Sequence, residues 1–156
     1  MINFITGDIF DYELEAIVNP VNTFGVSGKG LALAFKLKYP ANYEYYRSFC
    51  LDGELIISNI LPYQDVDVSK QPPQLRLIIN FPTKQHWKNP SQLEWISQGL
   101  YALRQLIIQR RINSIGIPAL GCGEGGLRWY DVRSEIVNYL QDLYEVNIFV
   151  FEPADM

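Results

Sequence analysis

The sequence predicts an α/β protein in which helices cover both faces of a largely parallel sheet. Three observations carry that expectation. Short apolar runs alternate with stretches of helical periodicity toward the C-terminus. Two glycine-rich segments, 25–30 and 121–126, each lie between an apolar run and a helical pattern. And 156 residues, 48% hydrophobic and 19% charged, suit one globular domain, residues 1–156.

In chain order, Ile2–Ile5 reads as a strand stopped by Thr6-Gly7-Asp8. Residues 16–18 form a second apolar run, closed by Asn19-Pro20. The glycine loop ending at Gly30 feeds residues 31–38, which are mostly good helix formers. Pro40 ends that helix and opens another that reaches Cys50. Residues 54–61 and 75–81 read as strands, with the polar stretch 64–73 as a surface loop between them. Ser91 and Glu94 have capping-box spacing, ahead of a helix whose apolar stripe is Leu93, Ile96, Leu100, Leu103 and Ile107. Residues 114–120 read as a strand. Trp129 opens a last helix marked by Val132, Ile136, Leu140 and Leu143, and Asn147–Phe151 reads as the last strand. No repeat or low-complexity tract interrupts the pattern.

Composition narrows the function. Two cysteines make neither a disulfide framework nor a metal cluster and point to a reducing cytoplasm. A single histidine, His86, excludes a multi-histidine metal site. No apolar run approaches the roughly 20 residues that cross a membrane. The N-terminus lacks the features of a signal peptide. With a net charge of −4, a long basic groove is not expected, so a nucleic acid substrate must be held by a local site.

In parallel sheets, ligands bind beyond the carboxyl ends of the strands. The segments after the strands carry Asn22, the first glycine loop, Lys84 and the second glycine loop, so four pieces of chain are expected to meet at one rim. A glycine-rich turn running into a helix converges backbone N–H groups on a phosphate. Two such loops suit a diphosphate flanked by sugars. Asn22 suits either a hydrogen bond to a ribose hydroxyl or an Asx-type turn. Gly121, Gly123 and Gly126 match the dinucleotide fingerprint only formally, because one helix and one strand remain after them. Segment 25–30 is no P-loop, since no lysine and hydroxyl follow its last glycine.

Four stretches then carry a resemblance: Thr6-Gly7-Asp8-Ile9, Ala16-Ile17-Val18-Asn19, Asn22 through Gly30, and Pro118-Ala119-Leu120-Gly121-Cys122-Gly123. They resemble the motifs of macrodomains, ADP-ribose-binding modules with a three-layer α/β/α fold around a mixed, largely parallel central sheet. Gly28-Lys29-Gly30-Leu31-Ala32 and Asn80-Phe81-Pro82-Thr83-Lys84-Gln85-His86-Trp87 are similar to one branch, the DarG-type DNA ADP-ribosyl glycohydrolase antitoxins. Terminal ADP-ribose protein glycohydrolase is a related branch.

The resemblance implies a hydrolase that removes ADP-ribose from thymidine bases of single-stranded DNA, a cognate DNA ADP-ribosyltransferase toxin as partner, and no cofactor or metal. It implies that Asp8 and Ile9 hold the adenine with Phe151 beside it. Asn22 contacts the distal ribose, and Thr23 is among the residues that bind ADP-ribose. Gly28, Lys29 and Gly30, with Gly121, Cys122, Gly123, Glu124 and Gly125, wrap the diphosphate and ribose. Lys84 is the catalytic lysine. The protein-directed branch has a catalytic aspartate where this chain has Gly125, and that departure favours the DNA-directed branch.

Other chemistries are weighed against this one. His86 as a general base lacks an identifiable carboxylate partner and suits packing beside Trp87. Cys122 suits a small residue in a tight loop better than a nucleophile. Arg128 and Lys88 are candidates for a nucleic acid phosphate. An extended chain after Phe81 would put Lys84, His86 and Lys88 on one side. A reader of ADP-ribose without turnover, or a hydrolase of glutamate-linked or metabolite ADP-ribose esters, would use the same fold and loops.

Overall fold

The computed structural model describes residues 1–154, so the last two positions of the expected 1–156 domain lie outside the described residues. Six strands form one sheet: β1 (Ile2–Ile5), β2 (Ala16–Asn22), β3 (Leu61–Asp67), β4 (Gln74–Lys84), β5 (Ser114–Ile117) and β6 (Asn147–Phe151). Their order is β1-β6-β5-β2-β4-β3, and all neighbours run parallel except β3 and β4. Four helices pack on it: α1 (Gly30–Lys38), α2 (Pro40–Leu51), α3 (Leu93–Arg110) and α4 (Trp129–Leu140). The expected three-layer, mixed and largely parallel architecture is the one observed.

Side-chain alternation assigns the faces. Ala16, Val18, Leu77, Ile79 and Phe81 pack with Ile96, Leu100, Leu103 and Ile107 of α3 and Val132, Ile136 and Leu140 of α4. Ile17 and Ile78, one residue out of phase, pack on the opposite face with Phe35 and Tyr39 at α1. Contact between α3 and the sheet is close at one point. A Cβ on Gly99 would lie 2.3 Å from the Phe81 ring, so only glycine lets the helix approach this near.

Several boundaries differ from expectation. β2 continues through Asn19-Pro20 to Asn22. Proline is tolerated because β5 pairs with β2 only at Ala16 and Ile17, so Pro20 has β4 as its sole neighbour strand. The strand expected over 54–61 lies instead at Leu61–Asp67, inside the stretch read as loop. Leu61–Asp67 is an edge strand, half-exposed and polar, which hides its strand character, whereas Ile56 in the misread segment is exposed. β4 extends to Lys84, and β5 stops at Ile117 rather than residue 120. The capping box does not form: Gln92 is the N-cap residue and caps with no side-chain bond. Ser91 donates its main-chain N–H to Gly125 O instead (2.9 Å). Leu143 lies beyond the end of α4. Among the described residues, no helix is long and apolar enough to cross a membrane.

Candidate active site

The sheet splits where β2 and β5 end. β2 leaves β5 after Ile17 but stays paired with β4 as far as Lys84. The cleft so opened is a cavity of ≈ 790 Å³, a size that suits a small organic ligand. Its lining includes Asn22, Ser27, Gly28, Lys29, Gly30, Thr83, Lys84, Trp87, Gly121, Cys122, Gly123, Glu124, Gly125, Trp129 and Pro153. The four pieces of chain expected at one rim therefore meet there.

Both glycine loops present backbone donors. Helices α1 and α4 begin at this rim, and neither Lys29 nor Arg128 caps its helix with a side-chain bond. In α4 the Asp131 N–H donates to Arg128 O (3.1 Å), which leaves the N–H groups of Trp129 and Tyr130, with those at the start of α1, for an anion. In the second loop, Gly126 N–H donates to Gly123 O (3.2 Å) and Leu127 N–H to Gly121 O (2.9 Å). The N–H groups of Gly123, Glu124 and Gly125 have no such partner among the described residues. Lys29 and Glu124, both exposed, form an ion pair at 3.7 Å that joins the two loops.

Asn22 folds the first loop. Its Oδ1 accepts from the N–H groups of Phe24 (3.1 Å), Gly25 (2.9 Å) and Val26 (3.2 Å), while its Nδ2 donates to Val26 O (2.7 Å). The Tyr46 hydroxyl donates to Asn22 O at 2.6 Å. Of the two roles open to Asn22, the Asx-type turn is present in this geometry.

Lys84 closes β4 beside a β-bulge between Val21 and Asn22, where the register steps from Pro82 to Lys84. Bulges re-aim side chains next to functional clefts. Lys84 is buried on the cavity wall and its Nζ donates to Trp87 O at 3.2 Å. It takes part in none of the ion pairs among the described residues. After Lys84 the chain turns instead of staying extended: Asn89 N–H donates to His86 O (3.1 Å). Lys84, His86 and Lys88 therefore do not share one side of a strand, contrary to expectation.

The remaining candidates are placed as follows. Asp8 caps a single 3-10 turn (Ile9–Asp11) by accepting from Phe10 N–H (2.9 Å). Ile9 and Phe151 are buried in the cluster beneath α1. Thr23 Oγ1 donates to Gln85 O (3.2 Å). These four lie outside the cavity lining. Burial pushes the Cys122 thiol up to about 11, which keeps it protonated at neutral pH and unsuited to nucleophilic attack. His86 stacks on Trp87 at 5.4 Å, and its Nδ1 accepts from Lys88 N–H (3.1 Å). Arg128 is tied to Asp131 (3.1 Å), whereas Lys88 sits over the Trp87 ring (5.0 Å).

Sequence reasoning missed Trp129, Thr83 and Pro153 on the cavity wall, because only tertiary placement brings them there. It also missed a buried amide network. Asn19 and Asn42 both donate to Asn80 Oδ1 (3.1 Å each), and Asn80 donates to Asn42 Oδ1 (2.8 Å) and Leu61 O (3.0 Å). This network ties β2, β4, α2 and the start of β3 together.

Gly125 explains the missing loop acid in steric terms. A Cβ there would stand 2.4 Å from both Gly121 O and Ser91 Oγ. The loop as folded has no room for any side chain at this position.

Comparison with known proteins places this geometry in a family. The chain is 43% identical over 155 residues to a DNA ADP-ribosyl glycohydrolase of Thermus aquaticus, covering 99% of this chain and 42% of that protein. The solved macrodomain of Mycobacterium tuberculosis DarG superposes with a TM-score of 0.90 at 39% identity, covering 99% of each chain. Thermosipho africanus DarTG, solved in complex with ADP-ribose, gives a TM-score of 0.88 at 30% identity, covering 99% of this chain and 42% of that one. The chain thus spans about two fifths the length of the curated DNA ADP-ribosyl glycohydrolases it matches. A family model for the Macro domain matches residues 18–136, which run from inside β2 through both glycine loops and into α4. The chain belongs to the Macro domain family.

Proposed function

We propose that this chain is the hydrolytic macrodomain of a DarG-type system, removing ADP-ribose from thymidine bases of single-stranded DNA. The observation that carries the proposal is Lys84: a buried lysine with no carboxylate partner among the described residues, on the wall of a cleft whose two glycine loops offer N–H groups without partners among those residues. In this reading the loops and the α1 and α4 N-termini take the diphosphate. Asp8, Ile9 and Phe151 attend the adenine, and Asn22 and Thr23 flank the distal ribose. The anomeric carbon faces Lys84.

Lysine attacks only as the free amine. A bond forms between Nζ and the anomeric carbon as the bond to thymine breaks. Thymine leaves with the electron pair and takes up a proton. Water then hydrolyses the lysine adduct, returning ADP-ribose and the amine. The steric closure at Gly125 supports a mechanism without a loop carboxylate and a DNA-linked rather than glutamate-linked substrate. Two free cysteines support a reducing, cytoplasmic setting. A cognate DNA ADP-ribosyltransferase supplies the substrate.

The test is single-turnover release of ADP-ribose from a thymidine-modified oligonucleotide. Wild type releases it, and Lys84→Ala loses at least about a thousandfold in rate, the scale of removing a central catalytic group, while still binding ADP-ribose. No release by wild type, with ADP-ribose bound, would leave a reader. Release from a glutamate-linked substrate alone would move the assignment to the protein-directed branch.

A further inference from the structure

Beside the cleft, on its Lys84 side, stands a row of rings that the ADP-ribose site does not use. Trp87 lines the cavity and is still 41% exposed. His86 lies against it at 5.4 Å, nearly parallel, and Phe24 follows at 4.8 Å from His86. Phe24 lies outside the cavity lining and is 56% exposed. The row therefore leads from the cavity wall outward to solvent.

This arrangement is held in place. Thr23 N–H donates to Lys84 O (3.0 Å) and Thr23 Oγ1 to Gln85 O (3.2 Å), which fixes the Phe24 loop against the turn that carries His86 and Trp87. Lys88 adds a cation over the Trp87 ring. The two segments that carry the rings hold lysines and no acids of their own, although Lys29 pairs with Glu124 and Lys38 with Asp67. Although the net charge is −4, residues 16–43 contain three lysines and no acid, and residues 77–93 contain two lysines and no acid.

We infer that the Phe24–His86–Trp87 row with Lys88 is a docking platform for the single-stranded DNA on either side of the modified base. The inference rests on the reading of the cleft as a DNA ADP-ribosyl glycohydrolase site. Phe24 and Trp87, exposed on either side of the half-buried His86, offer ring surface to unpaired bases, and a lysine beside them meets the backbone phosphate. Stacking accepts any base, so the platform adds affinity for the strand without demanding a sequence. It also explains how an acidic protein holds a polyanion: contact is confined to one aromatic strip and its lysines.

The test compares two substrates, ADP-ribosylated thymidine mononucleotide and an ADP-ribosylated oligonucleotide of about ten bases, with wild type, Phe24→Ala, Phe24→Trp and Lys88→Gln. Wild type prefers the oligonucleotide in kcat/KM by at least about tenfold, the scale of one base–aromatic stack. Phe24→Ala and Lys88→Gln lose that preference yet process the mononucleotide as wild type does. Phe24→Trp restores it. Equal turnover of both substrates by wild type, or an oligonucleotide preference unchanged in Phe24→Ala, overturns the platform and leaves the cleft assignment standing. Turnover of neither substrate overturns the cleft assignment, and the platform with it. A loss in Phe24→Ala that is as large on an ADP-ribosylated peptide assigns the row to protein and overturns the inference.

Discussion

At Gly125 two oxygens already occupy the place of a side chain, Gly121 O and Ser91 Oγ. Gly125→Asp is therefore expected to displace the second loop instead of supplying an acid. Calorimetry should show ADP-ribose affinity reduced at least tenfold, which is about 1.4 kcal/mol, with no gain in activity on a glutamate-linked substrate. Asn22 carries the first loop in the same manner, through three accepted N–H bonds. Asn22→Ala leaves three donors without their acceptor and should cost about 1–3 kcal/mol in urea unfolding. Cys122 gives a chemical check. With its thiol held up to about 11, alkylation by iodoacetamide should be slow at neutral pH and accelerate as pH approaches that value. Its motif marked Lys84 in the sequence, but its burial and its bond to Trp87 O depend on a bulge and a turn that residue identity does not announce.

Elements show what was legible and why. The stripe from Leu93 to Ile107 and the apolar β4 were readable because one or both faces are buried, so hydrophobic periodicity reports them. β3 was misread because it is an edge strand paired with β4 alone, with Gln64 and Val66 exposed. The capping box failed because Ser91 is drawn into the second glycine loop, a contact thirty-odd residues away in sequence. At the α1–α2 junction, Tyr39 is fully buried with its hydroxyl 3.4 Å from Asp67 Oδ2. Burial raises its pKa to about 12, and nearby Arg76 only partly opposes that. In the unfolded chain the phenol ionises near 10. The folded state thus binds the proton more tightly, and stability contributed by the neutral phenol is lost as pH rises from 10 toward 12. Tyr39→Phe should flatten that alkaline limb in denaturant titrations run from pH 9 to 11.5.

For the molecule as a whole, the placement of charge matters more than the sum. The sequence disclosed a net charge of −4 and warned against a basic groove; the fold brings Lys29 and Lys84 to the cleft, where Glu124 pairs with Lys29. A ligand that bridges both loops binds only the folded chain. ADP-ribose at a hundred times its Kd should add about 2.7 kcal/mol to stability, raising Tm by several degrees in a scanning fluorimeter. One feature of the sheet governs when that site first exists. β1 is hydrogen-bonded along β6, so within this sheet the earliest strand in sequence must wait for the last. Pro153, which lines the cavity, lies beyond β6 again. A ribosome-held chain that stops short of Asn147 should therefore keep two strand edges bare and capture no ADP-ribose, so that the binding site forms only once β6 has been made.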